Sequence, residues 1–205
     1  MIYLLISPFF IIYGIFGLFP ILYSFFLSFH KWNGTGEMKY VGIAYYQYLL
    51  KDSTFLLSIK NTLIIWCLST IPMVILAIII AFILNSNFLK GKTLFQTIYY
   101  LPNITSTVAI AIVFANIFGN KYGILNFVIS KLGFDPIQWM SVNLGVQFAI
   151  AMIVIWRWTG YNAIILIAGL QKIPTTLYEA ASLDGASTFQ IFKHITLPLL
   201  NPVIQ

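Results

Sequence analysis

The chain has 205 residues, 60% of them hydrophobic and only 8% charged, against about 25% charged in an ordinary soluble domain. So few charges cannot dress a soluble surface, and the apolar content excludes intrinsic disorder. The eleven Lys and Arg residues, which set the formal charge of +6, are scattered singly along the sequence, so nothing in it marks a nucleic-acid surface.

The charges are also unevenly spread. Residues 1–30, 61–89 and 93–120 hold none, and residues 136–171 hold only Arg157. Each block exceeds the ~20 apolar residues that cross a ~30 Å hydrocarbon core as a helix. The composition therefore specifies an all-α polytopic membrane protein with four spanning helices. The first block has no basic leader and no small-residue cleavage site, so it reads as a retained span rather than a signal peptide. Cys67, the only cysteine, can form no disulfide framework and reads as a small packed hydrophobe.

In chain order, the first span covers about residues 2–29, with Pro8 and Pro20 inside and Tyr3, Tyr13 and Tyr23 as interfacial anchors. A polar, aromatic connector, 30–60, contains a turn at Asn33, Gly34, Thr35 and Gly36. The second span covers about 62–84, with Pro72 near its middle, and a short loop, 85–97, carries Lys90 and Lys92. The third span covers about 98–118. The loop 119–143 can hold a short interfacial helix from Ile124 to Leu132, and the fourth span, about 144–170, places Arg157 near its centre. With a cytoplasmic N-terminus the outer loops carry Lys31, Lys39, Lys51, Lys60, Lys121 and Lys131, and the inner ones Lys90, Lys92, Lys172 and Lys193. That distribution does not follow the positive-inside tendency, so another signal has to set the orientation.

The segment 172–198 supplies it. Pro174 cannot continue a helix, Thr176 and Glu179 have capping-box spacing, and Gly185 can end the new helix in a left-handed conformation. A second short helix, with Phe189, Phe192 and Ile195 on one side, then reaches Leu197 and Pro198. These features predict a helix-turn-helix knob on the membrane surface.

The same residues carry a resemblance. Glu179-Ala180-Ala181, three residues, Gly185, nine residues, then Ile195-x-Leu197-Pro198 resembles the EAA motif in the permease subunits of binding-protein-dependent ABC importers. Leu166, Ala168-Gly169-Leu170-Gln171, Ile173-Pro174 and Leu183-Asp184-Gly185-Ala186 resemble the sugar-uptake branch. So do Tyr40-Val41-Gly42, Tyr45-Tyr46, Asp52, Phe55 and Asn61-Thr62, with Tyr40 and Tyr45 standing where that branch has phenylalanine and asparagine. The resemblance implies six spanning helices, two of which would follow Pro198, so the chain reads as incomplete at its C-terminus. It implies that 172–198 is a cytoplasmic coupling helix-turn-helix, which places the N-terminus on the cytoplasmic side of a bacterial cell membrane. Glu179, Ala180, Ala181, Asp184, Gly185, Ile195, Leu197 and Pro198 would then face a partner ATPase. The residue types suit that role: two alanines permit close approach, Gly185 permits the bend, and Glu179 offers a carboxylate. The competing reading is an amphipathic interfacial helix in which Glu179 only caps.

The implied partners are two cytoplasmic ATP-binding subunits, which bind ATP-Mg, a second EAA-type permease, an extracellular solute-binding protein, the sugar and membrane lipid. This chain itself would bind no cofactor or metal. An intramembrane guanidinium should face protein or a water-filled cavity. With Trp158, Tyr161 and Asn162, Arg157 can line a sugar pathway, since flat aromatics stack on C–H faces while polar groups bind hydroxyls. A subunit-interface ion pair, or a bond to backbone carbonyls freed by a kink, is its structural alternative. Asn103 and Thr105, in a polar run of the third span, fit pathway lining less well than helix packing, and Gly160 and Gly169 read as close-contact positions. No HExxH, GxSxG or Walker A pattern occurs in the sequence, so an enzyme is disfavoured. A channel or structural subunit would not need the knob. An importer of polyamine, phosphate or amino acid is the alternative within the class.

Overall fold

The computed structural model describes residues 2–85 and 89–204. Chain contacts divide it into a unit up to Lys60 and a second from Asn61 onward.

In the first unit a helix, α1 (Tyr3–Leu27), is apolar on every side and buries none of its most hydrophobic stretch, as expected of a helix solvated by lipid. Its turn Gly14–Leu18 is π-helical, with the Phe19 N–H bonded to the Gly14 carbonyl. Pro20 follows directly. Proline has no N–H to offer the preceding turn and crowds its carbonyl, and the wider turn relieves that crowding. After α1, a two-stranded hairpin pairs β1 (His30–Lys31) with β2 (Lys39–Tyr40). Gly34 and Gly36, both at positive φ, form the bend between them. A short helix, α2 (Ala44–Lys51), follows.

The next helix, α3 (Ser53–Asn85), starts at Ser53 rather than Thr62, because the Asp52 carboxylate accepts the backbone N–H groups of Thr54 (2.8 Å) and Phe55 (3.4 Å). An N-terminal aspartate satisfies donors that would otherwise be orphaned. Cys67 on this helix is exposed, which corrects its reading as a packed residue. The loop expected over 85–97 is already helical from Lys92, while its residues 86–88 lie outside the described residues.

The third span is not one helix. It is α4 (Lys92–Ile104) and α5 (Thr107–Ile117), bent by 94° at the junction. Thr105 and Ser106 have extended backbone, and the Thr105 hydroxyl bonds the Leu101 carbonyl at 2.8 Å. Hydroxyl side chains that compete for helical backbone groups, next to Pro102, favour such a break. The fourth span, α7 (Asn143–Leu170), is one continuous helix and carries more buried residues than any other element among the described residues. Beyond it lie α8 (Thr175–Leu183) and a helix, α9, that starts at Thr188–Ile191, continues through π-helical Phe192–Thr196 and ends with Leu197–Ile204. The expected stop at Pro198 is thus a wide turn instead. The Leu197 N–H reaches back to the Phe192 carbonyl, as its counterpart does before Pro20.

Two cores flank α7. Ala77, Ala81 and Leu84 of α3 meet Ala163, Leu166, Ile167, Leu170, Ile173 and Leu200 in one. Ile110, Phe114, Phe118 and Ala149 form the other, capped by Trp139.

The loop 119–143 is a folded cap around one buried side chain. It includes the expected interfacial helix, α6 (Ile124–Lys131). Asn126, 2% exposed, donates through Nδ2 to the carbonyls of Ile137 (2.8 Å), Asn120 (3.0 Å) and Gly119 (3.3 Å). Its Oδ1 accepts from the Ile137 N–H and the Trp139 Nε1–H, both at 3.0 Å. Truncating one such hub orphans several buried groups, at about 1–3 kcal/mol each. Asn126→Ala should therefore lower the thermal unfolding midpoint of the detergent-solubilised protein far more than Asn116→Ala, whose side chain bonds only its own helix. Equal midpoints for the two variants would contradict the hub.

Candidate functional site

The surface knob begins where α7 ends. Gln171, Lys172 and Ile173 turn back through bonds to Ile167, Gly169 and Leu170, and Ile173 is buried in the core beneath. Pro174 is extended and α8 starts at Thr175. Thr176 therefore lies inside the helix, and no side-chain cap forms at its start, which corrects the expected Thr176–Glu179 capping box. The Glu179 carboxylate is left exposed rather than spent on the chain's own backbone. The capping box sits one helix later. There the Ser187 N–H donates to Gln190 Oε1 (2.7 Å), and the Gln190 N–H donates to Ser187 Oγ (3.3 Å).

Gly185, at φ +75°, closes α8 as expected. The Ala186 N–H reaches the Ala181 carbonyl at 3.0 Å, the six-to-one bond of a Schellman end. The outer face then presents Glu179, Ala180, Asp184 and Gly185, all exposed. A surface groove of about 300 Å³ runs from Asp184 and Gly185 to Gln190, His194 and Ile195. Leu197 is at the edge of exposure and Pro198 is exposed.

Two contacts anchor this knob. On the α8 side, Tyr178 packs against the core and its hydroxyl lies 3.4 Å from Thr196 Oγ1. On the return side, Phe192 meets Phe82 edge-on at 5.5 Å.

The intramembrane residues form a second group. Arg157 donates from Nη1 to Thr107 Oγ1 at 3.0 Å, just past the break in the third span. Its Nε is buried with no partner among the described residues. The acceptor is a side-chain hydroxyl next to the break, not one of the backbone carbonyls that a kink would free. Trp158 and Tyr161 meet edge-on at 5.7 Å, and Tyr161 stacks on Tyr100 at 6.4 Å. Asn162 donates to the Trp158 carbonyl at 2.9 Å and to Met73 Sδ at 3.8 Å, so its amide is spent within the bundle. Asn103 and Thr105 do not join Arg157. Thr105 bonds its own helix, and Asn103 is half-buried.

Close packing, as expected, explains both glycines. A Cβ on Gly160 would overlap the Tyr99 carbonyl, and one on Gly169 would crowd Leu200 and Val203 at 3.0–3.1 Å. Sequence reading missed Thr107 as the partner of Arg157, Asn126 as the hub of the cap, and Asn61, whose Oδ1 accepts from the buried Gln147 amide at 2.9 Å. The available signal was a polar residue inside an otherwise apolar stretch, which does not by itself name a partner.

The family model described as "binding-protein-dependent transport system inner membrane component" matches residues 61–205. The chain belongs to this family. It is 37% identical over 202 residues to the arabinooligosaccharides transport system permease protein of Bacillus subtilis (strain 168), covering 98% of this chain and 64% of that one. It is 34% identical over 204 residues to the lactose transport system permease protein of Rhizobium radiobacter, covering 98% and 68%. It is 35% identical over 203 residues to the trehalose/maltose transport system permease protein of Thermococcus litoralis, again covering 98% and 68%. Among solved structures it matches a chain of a bacterial alginate ABC transporter, crystallised with an alginate pentasaccharide-bound periplasmic protein. The TM-score is 0.84 at 27% identity, over 99% of this chain and 68% of that one. The chain thus spans 64% to 68% of the length of these curated relatives.

The Arg157–Thr107 bond can be tested inside this fold. Thr107→Val should take the acceptor away from an Arg157 guanidinium N–H and cost about 1 kcal/mol, whereas Thr107→Ser should be close to neutral. In Thr107→Val/Arg157→Met the donor is gone as well, so much of that loss should return. A double variant no better than Thr107→Val in thermal unfolding would contradict the pairing.

Proposed function

We propose that the chain is a permease subunit of an ABC importer that carries a sugar or oligosaccharide across a bacterial cell membrane. The observation that carries this reading is the knob. Glu179, Ala180, Asp184 and Gly185 are all exposed on α8 and its C-terminal bend, the bend at Gly185 is left-handed, and the knob is anchored to the bundle through Tyr178 and Phe192. A knob that only floated at an interface would not need that anchoring. A knob that moves helices when a partner pulls it does, because force passes only through packed contacts.

In this reading the knob is cytoplasmic, the N-terminus is cytoplasmic, and two ATP-binding subunits holding ATP-Mg seat on the permease pair. A second EAA-type permease completes the path, and an extracellular binding protein delivers the solute. The printed substrates of the relatives, arabinooligosaccharides, lactose and trehalose/maltose, support a saccharide. Trp158 and Tyr161, both partly exposed, are the aromatic faces on α7 that suit a sugar ring, and Arg157 stands beside them. Arg157 and Asn162 give part of their donor capacity to the bundle, so their contribution to the path is positioning first.

The test is uptake of radiolabelled oligosaccharide by cells carrying the assembled importer. Glu179→Lys reverses the charge of the docking face. Gly185→Pro removes a φ that proline cannot adopt. Both should insert at normal levels, and both should lose at least about tenfold of uptake together with solute-stimulated ATP hydrolysis, a loss of about 1.4 kcal/mol in coupling. Wild-type uptake in both variants would overturn the assignment.

A further inference from the structure

Two lysines eight positions apart in the sequence are brought opposite each other in the first unit, and nothing in the transport reading uses them. Strand β1 pairs with β2 so that Lys31 stands directly opposite Lys39. Directly opposed residues on an antiparallel pair have Cβ atoms about 4.5–5.5 Å apart, and like charges there repel. Both lysines are exposed, and neither forms an ion pair among the described residues.

The repulsion is tolerated because the hairpin is fixed by other contacts. His30 and Tyr40, the other cross-strand pair, lie ring to ring at 5.3 Å, and His30 stacks on Phe26 of α1 at 4.3 Å while its Nδ1 bonds the Phe26 carbonyl at 2.8 Å. Trp32 Nε1 donates across the bend to the Gly36 carbonyl at 3.2 Å. Ser28 and Tyr46 share a hydroxyl hydrogen bond of 2.6 Å, which ties the end of α1 to α2. The backbone positions of the two lysines are therefore held opposite each other before any ligand arrives.

Their depth is set by α1. At 25 residues it is about 37 Å long, more than the ~30 Å hydrocarbon core but within the ~40–45 Å that includes headgroups. The hairpin follows its end at Leu27 by three residues, so Lys31 and Lys39 lie in the headgroup layer. The exposed aromatics Tyr40, Tyr45 and Tyr48 belong at that depth too. The layer supplies phosphate anions at high local density on whichever side of the membrane the hairpin lies, so this argument does not rest on the proposed orientation or on transport.

We propose that Lys31 and Lys39 form a binding site for the phosphate of an anionic phospholipid headgroup, which neutralises the opposed pair and seats the end of α1 at the membrane surface. Edge lysines also serve to block strand pairing, a role that requires no lipid and that the following experiment separates.

The detergent-solubilised full chain is titrated with phosphatidylglycerol and, separately, with phosphatidylcholine, and retained lipid is counted by native mass spectrometry. A basic side chain near an anionic surface is worth about fivefold in affinity. The wild type should therefore prefer phosphatidylglycerol by roughly 10- to 30-fold. K31Q/K39Q should lose that preference while K31R/K39R keeps it, and retention should fall as salt is raised. K90Q serves as a control elsewhere in the chain and should leave the preference intact. An unchanged preference in K31Q/K39Q, with the variant eluting as the wild type does in size exclusion, overturns the proposal. Displacement of the lipid by an equal concentration of inorganic phosphate would overturn it as well, since the site would then take a free anion. If K31Q/K39Q fails to elute as a folded species, the salt dependence of the wild type decides, and retention insensitive to salt overturns the site.

Discussion

The side chain missing from Gly160 is what the second unit is built around. Helices in a bilayer gain little hydrophobic energy from meeting one another, so their association rests on how closely their backbones approach and on the few polar bonds between them. At Gly160 α7 comes so near the Tyr99 carbonyl of α4 that even a methyl group would overlap it. One residue away, Tyr161 stacks on Tyr100, and three residues before it Arg157 bonds Thr107 of α5. A single turn and a half of α7 therefore grips both halves of the broken third span. The same helix repeats the device near its end, where Gly169 lets Leu200 and Val203 of α9 pack against it.

This arrangement gives the knob its mechanical sense. The core that joins α3, α7 and α9 lies under Ile173 and Tyr178, so α8 cannot move without loading α7, and α7 holds the break at Thr105 and Ser106. In the proposed importer, displacement of the knob by an ATPase would reach the bent span through the contacts at Gly169 and Gly160. Packed interfaces transmit such shifts because they have discrete arrangements rather than continuous give. The buried, unpartnered Nε of Arg157 lies at the end of that chain of contacts.

Much of this was legible in the residues. Four charge-poor blocks announced a membrane protein, and Glu179-Ala180-Ala181 with Gly185 announced the knob, because spacing and left-handed geometry are local properties. The break in the third span was not legible. Its apolar count is that of one helix, and only the competition of Thr105 and Ser106 for backbone groups interrupts it. The role of Asn126 was likewise hidden, since a lone asparagine in a loop gives no hint that five backbone and side-chain groups converge on it. The capping box misled for a simple reason: Thr176 and Glu179 have the right spacing, but Pro174 sets the start of α8 two residues too early for them. Scattered lysines also hid a pair, which only the hairpin register reveals.

In the proposed importer the knob faces the cytoplasm, where an ATP-driven partner can reach it, while the Asn126-centred cap faces outward. Sidedness tests this directly. With Cys67 replaced by alanine, Leu183→Cys and Tyr122→Cys place single thiols at positions 89% and 95% exposed, one on the knob and one on the cap. Labelling with a membrane-impermeant maleimide should modify Tyr122→Cys in intact cells and Leu183→Cys only in inverted vesicles. Modification of Leu183→Cys from outside intact cells would place the knob beyond the reach of any ATPase and contradict the account.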